Sequence, residues 1–264
     1  MSKKRPLVTA LANQKGGVGK STTAINLAAA LAFQGQRTLL IDLDPQGNAT
    51  SGLGVDRASI ETSIYDVLLK EADVDDSVEP TSVRDLFVIP ATIDLAGAEI
   101  ELVSLFSRET RLKTAIADID QAFDVILIDC PPSLGLLTVN ALTAADQVII
   151  PIQCEYYALE GLSQLLRNVQ LVTSNLNPQL KVAGVVLTMY DGRTKLSKDV
   201  AAQVRDHFGD STYRAVIPRS VRLSEAPSYG EPIEAFDPMS RGAIAYRQLG
   251  REFIERNGLE ARRS

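Results

Sequence analysis

A glycine-rich stretch near the start of the 264-residue chain has the residue types that a phosphate-binding loop requires. It follows an apolar run and precedes a helical pattern, which is the strand, loop and helix context of such a loop. Glycines let backbone N–H groups converge on phosphate oxygens, and the helix N-terminus adds partial positive charge. In this pattern Lys20 would reach the β- and γ-phosphates of a nucleotide, and the Ser21 hydroxyl would bind Mg²⁺. The predicted nucleotide-binding residues of the loop are Lys15, Gly16, Gly17, Val18, Gly19, Lys20, Ser21 and Thr22.

Two further segments place carboxylates at the ends of apolar runs. Asp129 ends the run that starts after Asp124, and the carboxyl end of a buried strand is where α/β sheets bind ligands. We therefore predict that Asp129 holds Mg²⁺ through water, because this hard cation prefers oxygen ligands and keeps several waters. Asp42 and Asp44 follow another apolar run, and their spacing puts both side chains on one face of an extended segment.

The elements that must position these side chains alternate along the chain. Runs rich in Val, Ile and Leu, with almost no polar alternation, are typical of strands covered on both faces. Helical patterns lie between them, which predicts an α/β fold with a doubly wound, mainly parallel sheet flanked by helices, of the P-loop NTPase class. The predicted strands cover 7–12, 38–41, 125–128, 148–152 and 182–187, and the clearest helices cover 24–31, 159–169 and 243–254.

The composition, with 45% apolar and 23% charged residues, is that of an ordinary globular protein rather than a disordered or fibrous one. No internal repeat or linker divides the chain, so we predict a single domain over residues 1–264. Residues 44–85 are the least regular part and include an acidic segment that we expect to be a surface loop. The polar tail, about 257–264, is expected to be frayed. Because the phosphate-binding motif begins by residue 14, we expect no N-terminal DNA-reading domain.

Charge and residue counts argue against several classes of function. A formal net charge of −6 disfavours a surface coated in basic charge for nucleic acid, but it leaves room for a local basic patch. The single histidine disfavours catalysis by a histidine base. The two cysteines cannot form a disulfide framework, and they lack the CxxC spacing of a zinc site. No run of about 18 apolar residues is present, so we expect a cytoplasmic protein without a membrane span.

The loop departs from the common GxxxxGKS/T pattern, because Gln14 replaces the first glycine and Lys15 adds a lysine. In this respect it resembles the deviant Walker A motif, KGGxGKS/T, of the ParA/Soj-type chromosome- and plasmid-partition ATPases in the ParA/MinD superfamily. The segment that holds Asp42 and Asp44 is similar to the second motif of the same family. The resemblance extends over nearly the whole chain through segments 39–48, 151–161, 187–193 and 217–227.

The resemblance implies an ATPase that uses ATP and Mg²⁺ and forms an ATP-dependent homodimer. Lys15 would reach across the dimer interface to the nucleotide of the partner subunit, although its charge alone would also allow it to act in cis. Asp44 would orient or polarise the attacking water, with Lys20 and Lys15 as the other catalytic residues, and Asp42 would have a structural role. No arginine finger is evident in the sequence, which predicts slow intrinsic turnover.

Two later regions carry further expectations from the resemblance. In similar proteins the loop that begins at Pro218 contacts the adenine base; they commonly have asparagine where this chain has Ser220, and here the backbone could make that contact. Arg193 and Arg222 match positions at which related proteins bind double-stranded DNA non-specifically, through salt-sensitive phosphate contacts. A ParB-like centromere-binding partner would stimulate hydrolysis, and the nucleoid-associated protein would segregate a chromosome or plasmid.

Four other functions stay open on the sequence alone. A partition-like ATPase could position other cellular cargo. A regulator similar to MinD would need a membrane-binding C-terminal helix, but Gly258 interrupts the end of this chain. An ATPase similar to the nitrogenase iron protein would hold a cluster on Cys130 and Cys154, which do not lie in that family's cysteine contexts. A biosynthetic ligase or metabolic kinase would need a pocket for a second substrate.

Overall fold

The apolar runs form strands because their side chains are buried on both faces of one sheet. The computed structural model describes residues 5–156 and 160–260, and in that part of the chain eight strands form a single sheet. The strands are β1 (Leu7–Leu11), β2 (Thr38–Asp42), β3 (Glu79–Pro80), β4 (Leu86–Ile89), β5 (Val125–Asp129), β6 (Gln147–Gln153), β7 (Lys181–Tyr190) and β8 (Thr212–Pro218). Every residue of β2 and β5 is buried, as the continuous apolar pattern predicts.

Eleven α-helices connect and follow the strands within the described residues. They are α1 (Lys20–Phe33), α2 (Asn48–Gly52), α3 (Ile64–Leu69), α4 (Leu95–Glu101), α5 (Arg111–Asp118), α6 (Leu136–Ala144), α7 (Glu160–Asn175), α8 (Lys195–Phe208), α9 (Val221–Glu225), α10 (Ile233–Phe236) and α11 (Arg241–Asn257). None of these described helices has the length and apolar character that crossing a membrane would require.

The strand order brings the carboxyl ends of β1, β2 and β5 together. The order is β3-β4-β2-β5-β1-β6-β7-β8, and neighbouring strands are parallel except for the antiparallel pair β3 and β4. Asp129 at the end of β5 is in register with Leu11 on β1 and with Asp42 on β2. The predicted carboxylates and the start of the glycine-rich loop therefore meet at one edge of the sheet.

Helices cover both faces of this doubly wound sheet. On one face α1 and α11 pack together, and the hydroxyls of Thr23 and Tyr246 lie 3.2 Å apart between them. The Asn26 side chain of α1 accepts a 2.7 Å hydrogen bond from the N–H of Ile233 on α10. The other face is covered by apolar residues of α3, α4, α5, α6, α7 and α8. These contacts fix α1, and therefore the loop before it, against the sheet.

The structure confirms the predicted α/β fold and adds elements that the apolar pattern does not reveal. Strand β4 has only four residues, and β8 mixes buried and exposed positions, so neither produces a long apolar run. The predicted helix over 159–169 is α7, which continues to Asn175, while Leu159 lies outside the described residues. Segment 44–85 contains α2, α3 and β3, and a capping box of Ser63 and Asp66 begins α3.

The end of the chain differs from the expected frayed tail. Asn257 still belongs to α11, and Gly258 ends the helix with φ +58°. Leu259 packs against the core, and the carbonyl of Glu260 accepts a 3.0 Å hydrogen bond from the Gln36 side chain. Residues 257–260 are therefore attached to the body of the protein, whereas 261–264 lie outside the described residues.

A buried carboxylate, Glu252, joins α11 to β8. It accepts hydrogen bonds from the N–H groups of Arg214 (2.9 Å) and Ala215 (3.0 Å) and forms a 2.7 Å ion pair with Arg256. Burial alone would raise the pKa of Glu252, but these donors outweigh burial and hold the pKa below the ordinary glutamate value. The ionised carboxylate is therefore a stabilising connection between the last helix and the edge of the sheet.

We predict that Glu252→Ala lowers the free energy of unfolding by about 3 kcal/mol, because Arg256 and two N–H groups lose a buried partner. Glu255→Ala is the matched control: Glu255 forms an exposed ion pair with Arg214, whose loss should cost less than about 0.5 kcal/mol. Urea denaturation measures both variants. The pKa of Glu252 is lower in the folded than in the unfolded chain. Its contribution to the free energy of unfolding is therefore present above the ordinary glutamate range and is lost as the pH falls below that range and the carboxylate is protonated. Equal stability of the two variants would contradict this account.

Candidate phosphate-binding site

The glycine-rich loop leaves open space in front of a helix that lacks a side-chain cap. Gly17 and Gly19 have φ of +73° and +85°, in the left-handed region that glycine adopts without strain. Gly19 is the N-cap of α1, and no side chain of the described residues caps this end of the helix. A β-carbon added at Gly16 or Gly17 would meet no heavy atom within 4 Å. The arrangement fits an anion whose oxygens bind the N–H groups of the loop and first turn.

Two polar residues outside the motif hold this loop in place. Asn13 accepts a 3.0 Å hydrogen bond from the N–H of Lys15 and donates a 2.7 Å bond to the carbonyl of Pro151 on β6. Thr188 on β7 donates a 2.7 Å hydrogen bond to the carbonyl of Val18. Neither residue is among those predicted for the site. A polar residue directly after a buried strand is a usable signal for Asn13, whereas nothing in the apolar run of β7 distinguishes Thr188.

Lys20 at the start of α1 and Asp129 at the end of β5 are both buried charges. Neither carboxylate oxygen of Asp129 has a hydrogen-bond partner among the described residues. Burial and the negative charge of Asp42 raise the pKa of Asp129 well above its usual range, whereas the nearby Ser21 hydroxyl and Lys20 ammonium lower it. A buried carboxylate without donors is stabilised by a bound cation. Ser21 and Asp129 thus fit Mg²⁺, with water and phosphate completing its coordination.

Other metal chemistry finds little support in this part of the chain. Across residues 5–156 and 160–260, no group of three or more His, Cys, Asp or Glu side chains is arranged to hold a metal ion. Cys130 and Cys154 are free and buried, and burial raises the pKa of both thiols, to about 11 for Cys154. Protonated thiols are poor metal ligands. The groups available at the site are therefore hydroxyl, carboxylate, ammonium and backbone N–H.

Asp42 has the geometry of a structural carboxylate. It accepts hydrogen bonds from the N–H and hydroxyl of Thr50, both at 2.7 Å, and from the N–H of Asp44 at 3.2 Å. Burial nevertheless raises the pKa of Asp42 to about 6. The Thr50 hydroxyl also accepts a 2.9 Å bond from the N–H of Ala91, which ties the loop after β2 to the end of β4. Asp44 is buried on this loop, where it accepts a 3.0 Å bond from the N–H of Gln46.

Lys15 stands in a different environment from Lys20. Its ammonium lies 4.0 Å from a carboxylate oxygen of Glu155, and its side chain is 39% exposed. The other oxygen of Glu155 forms a 3.1 Å ion pair with Arg219. Lys15 therefore lies at the surface of the site, where it is accessible to a second molecule.

The predicted adenine segment lies at the same edge of the sheet, beyond β7. Pro218 ends β8 in register with Tyr190 of β7, and the N–H of Arg219 donates a 3.0 Å hydrogen bond to the Tyr190 carbonyl. Ser220 is the N-cap of α9, although its side chain does not cap the helix. Strand β7 therefore connects this segment to the loop, since Tyr190 lies two residues after Thr188, which contacts Val18.

The two predicted DNA-binding arginines are exposed, and each is paired with acid side chains. The Arg193 guanidinium donates to both oxygens of Asp191, at 2.9 and 2.7 Å. Arg222 forms ion pairs of 3.0 Å with both Glu225 and Asp237. A DNA phosphate would have to compete with these carboxylates for either arginine.

We predict that Asp129→Asn stabilises the nucleotide-free and Mg²⁺-free protein by about 1 to 2 kcal/mol at neutral pH, because burial and the neighbouring Asp42 disfavour the ionised carboxylate more than Ser21 and Lys20 stabilise it. Asp42→Asn is the control on the neighbouring strand. It should lower stability by about 1 to 3 kcal/mol, since its amide cannot accept the same three hydrogen bonds. Thermal unfolding of both variants measures the difference. A lower melting temperature for Asp129→Asn than for wild type would show that Ser21 and Lys20 compensate the buried carboxylate in the unliganded chain.

Known proteins resemble this chain in sequence and in structure over most of its length. A family model described as an AAA domain matches residues 7–182. The sporulation initiation inhibitor protein Soj of Bacillus subtilis is 59% identical over 251 residues, covering 95% of this chain and 99% of that protein. The chromosome partitioning protein ParA of Caulobacter vibrioides is 56% identical over 251 residues, covering 94% of each.

A solved structure gives the same picture of the fold. It is described as cobyrinic acid a,c-diamide synthase from Mycobacterium smegmatis with bound ATP analog and magnesium. It has a TM-score of 0.85 and 42% sequence identity, with 96% of each chain covered. The motifs, the sheet and the similarity over most of the chain agree: this chain belongs to the ParA/Soj family of chromosome-partitioning ATPases.

Proposed function

We propose that this chain is an ATP-driven switch that dimerises, binds DNA non-specifically and is reset by hydrolysis when a ParB-like partner stimulates it. The observation that carries most weight is the buried Asp129 carboxylate, which lacks a hydrogen-bond partner among the described residues and shares its sheet edge with an open glycine loop. Without a ligand, the buried carboxylate lacks a cation and the N–H groups of the loop lack an acceptor, and both are unfavourable. A bound cation and a bound phosphate would supply these two partners. The name of the chromosome partitioning protein ParA of Caulobacter vibrioides, 56% identical, supports a role in chromosome partition.

ATP would bind along the carboxyl edge of the sheet. The N–H groups of the loop would hold the phosphates, and Lys20 would place its ammonium against the β- and γ-phosphates. Mg²⁺, held by Ser21 and Asp129, would neutralise phosphate charge. Pro218 and Ser220 would flank the adenine base. The ATP analog and magnesium in the relative at 42% identity support this pair of ligands.

Hydrolysis would depend on Asp44. This carboxylate would accept a hydrogen bond from the attacking water and orient it toward the γ-phosphate, while Asp42 and Thr50 hold its loop in position. Phosphoryl transfer is accelerated mainly by positioning and charge stabilisation. Lys20 and Lys15 are the cations of the proposed site, and no arginine finger is assigned to it. We therefore expect slow ATP hydrolysis in the absence of a partner protein.

Lys15 would act across the dimer interface. In the described chain its nearest acid is Glu155, at 4.0 Å and partly exposed, where an ion pair contributes little. The triphosphate bound to a second subunit carries more negative charge than Glu155 and would attract Lys15 away from it. Glu155 would still form its ion pair with Arg219. This exchange would make the dimer contact depend on bound ATP.

DNA would bind through Arg193 and Arg222 once two subunits present them together. The phosphates of DNA would compete with Asp191 for Arg193 and with Glu225 and Asp237 for Arg222. Such contacts are independent of base sequence and weaken with salt. The ATP state would therefore collect on the nucleoid, and a ParB-like partner would release it by stimulating hydrolysis.

A biosynthetic ligase is the competing function, because the relative at 42% identity has that description. A second substrate would need a pocket next to the γ-phosphate. A cavity of about 650 Å³ exists, but its lining includes Arg5, Phe123 and Asp146, at the amino ends of β1, β5 and β6. That is the opposite edge of the sheet from the loop, about one strand length away, or roughly 17 Å. The higher identity to Soj and ParA also favours partition.

The proposal is tested by measuring ATP hydrolysis with and without DNA and the cognate ParB-like protein. Slow basal turnover and stimulation by both together are expected. Lys20→Ala should lose ATP binding, because the β- and γ-phosphates lose their buried ammonium. Asp44→Ala should still bind ATP and dimerise, yet lose hydrolysis by at least about 100-fold. Stimulation by neither DNA nor the partner would contradict partition, and normal turnover of Asp44→Ala would contradict the role of that carboxylate.

DNA binding has its own test. Arg193→Glu and Arg222→Glu should each weaken binding of a short duplex about tenfold and lower the salt dependence by about one phosphate contact, with ATP hydrolysis largely intact. Arg84→Glu is the control with the same charge change, because this exposed arginine precedes β4 at the far side of the sheet from β8. Unchanged DNA binding in both test variants, measured by fluorescence anisotropy, would exclude these two residues.

A further inference from the structure

The cavity of about 650 Å³ at the amino edge of the sheet lies opposite the phosphate-binding loop, and we call it the amino-edge cavity. It is bounded by the C-terminal part of α5, the end of α6, the segment after α7 and the residues before β1. Its volume is within the usual range for sites that bind small molecules. Because Lys20 and Asp129 lie at the carboxyl edge, a ligand in this cavity would be a second one, distinct from ATP and Mg²⁺.

The inner wall of the amino-edge cavity is apolar and is fixed by the surrounding core. Ile126 of β5 and Phe123 before it are buried, and the partly buried Ile116 of α5 packs against the same core. The Asn177 side chain donates hydrogen bonds of 3.0 and 2.7 Å to two carbonyls at the end of α6. A wall that is already ordered costs little to arrange around a ligand. This part of the cavity therefore fits the apolar body of a small molecule.

A buried side chain of this wall has an unused polar group. Thr143 of α6 lines the cavity and is 0% exposed, and its hydroxyl has no hydrogen-bond partner among the described residues. The hydroxyls of Thr114 and Thr173, by contrast, donate to the carbonyl four residues earlier in their chain segment, at 3.1 and 2.8 Å. A buried hydroxyl without a partner costs free energy. A ligand group that forms a hydrogen bond with Thr143 would remove this cost.

The charged residues of the lining leave one cation available to a ligand. Arg5 and Asp146 form a 2.9 Å ion pair, and Asp146 also accepts a 2.9 Å hydrogen bond from the N–H of Val8. Asp120 likewise has a partner within the chain. Lys113, exposed on α5, forms no ion pair with any other residue that the structure describes. An anionic group on the solvent side of the cavity would therefore find a partner in Lys113.

We propose that the amino-edge cavity binds a small carboxylate that has an apolar body and a second, uncharged hydrogen-bonding group. The carboxylate would pair with Lys113 on the solvent side, and the apolar body would cover Phe123 and Ile126. The second polar group would form a hydrogen bond with Thr143 inside the cavity. A cationic ligand is disfavoured, because Arg5 and Asp146 neutralise each other and Lys113 adds positive charge. The ligand would thus satisfy the two polar groups of the lining that most need partners.

Indole-3-acetate is a suitable probe, because it combines a carboxylate, an apolar ring system and an N–H group. The chain contains no tryptophan, so the fluorescence anisotropy of the indole reports binding directly. We expect saturable binding with a Kd below about 1 mM, unchanged by Mg²⁺ and a non-hydrolysable ATP analogue. Tryptamine, which has an ammonium group in place of the carboxylate, should bind at least about threefold more weakly.

Two substitutions and a control locate the probe. Thr143→Val keeps the side-chain shape and removes the unpartnered hydroxyl, so the Kd should rise about fivefold while the melting temperature stays equal or rises. Lys113→Gln should raise the Kd about threefold and abolish the preference over tryptamine. Thr114→Val is the matched control, because it removes a hydroxyl from the same helix as Lys113 and outside the cavity lining. ATP hydrolysis should be unchanged in all three variants.

Four results would overturn the assignment of this cavity. The first is a wild-type protein without saturable probe binding below about 1 mM. The second is displacement of the probe by the ATP analogue, which would place it in the nucleotide site. The third is unchanged affinity of the Thr143→Val/Lys113→Gln double variant. The fourth is a lower melting temperature of Thr143→Val, which would show that the hydroxyl already has a partner. Weaker probe binding in both single variants, with normal stability and hydrolysis, supports the assignment.

Discussion

The buried carboxylate of Asp129 is the constraint on which the rest of the site depends. Parallel pairing of β2 with β5 puts Asp129 in register with Asp42, and two buried acids side by side are unfavourable without positive charge or donors. The chain compensates one of them: Thr50 donates two hydrogen bonds to Asp42. Asp129 is left without such donors in the described residues, beside a helix terminus that has no side-chain cap. A ligand that combines phosphate with a cation satisfies both features at once.

Whether a feature can be predicted from the sequence depends on how far apart along the chain its interacting residues lie. The positions of the loop residues and of Asp129 in the fold could be predicted because they depend on local order: an apolar strand, then glycines or a carboxylate, then a helix. The sheet could be predicted for the same reason, except for β3, β4 and β8, whose patterns are short or mixed. The place of Asn13 directly after β1 is a usable signal, but its bond to Pro151 and the bond from Thr188 to Val18 exist only once β1, β6 and β7 are aligned.

The charge distribution reconciles an acidic protein with an expected DNA partner. The charged side chains behind the net charge of −6 are unevenly distributed. Arg193 and Arg222 are paired with carboxylates of the same chain, whereas residues 93–107 contain acidic side chains and neither lysine nor arginine. An arginine that must leave its carboxylate partner to reach a DNA phosphate would contribute little affinity by itself. A dimer would present two sets of these arginines and would therefore bind DNA more tightly than one subunit.

The central claim is that bound nucleotide controls a site shared between two subunits and, through it, DNA binding. Its most direct test is the affinity of the wild-type chain for a short duplex of arbitrary sequence in two states, one with Mg²⁺ and a non-hydrolysable ATP analogue and one with Mg²⁺ and ADP. The account predicts binding at least about tenfold tighter in the ATP-like state, within the usual range of coupling between sites. Equal affinity in the two states would contradict it.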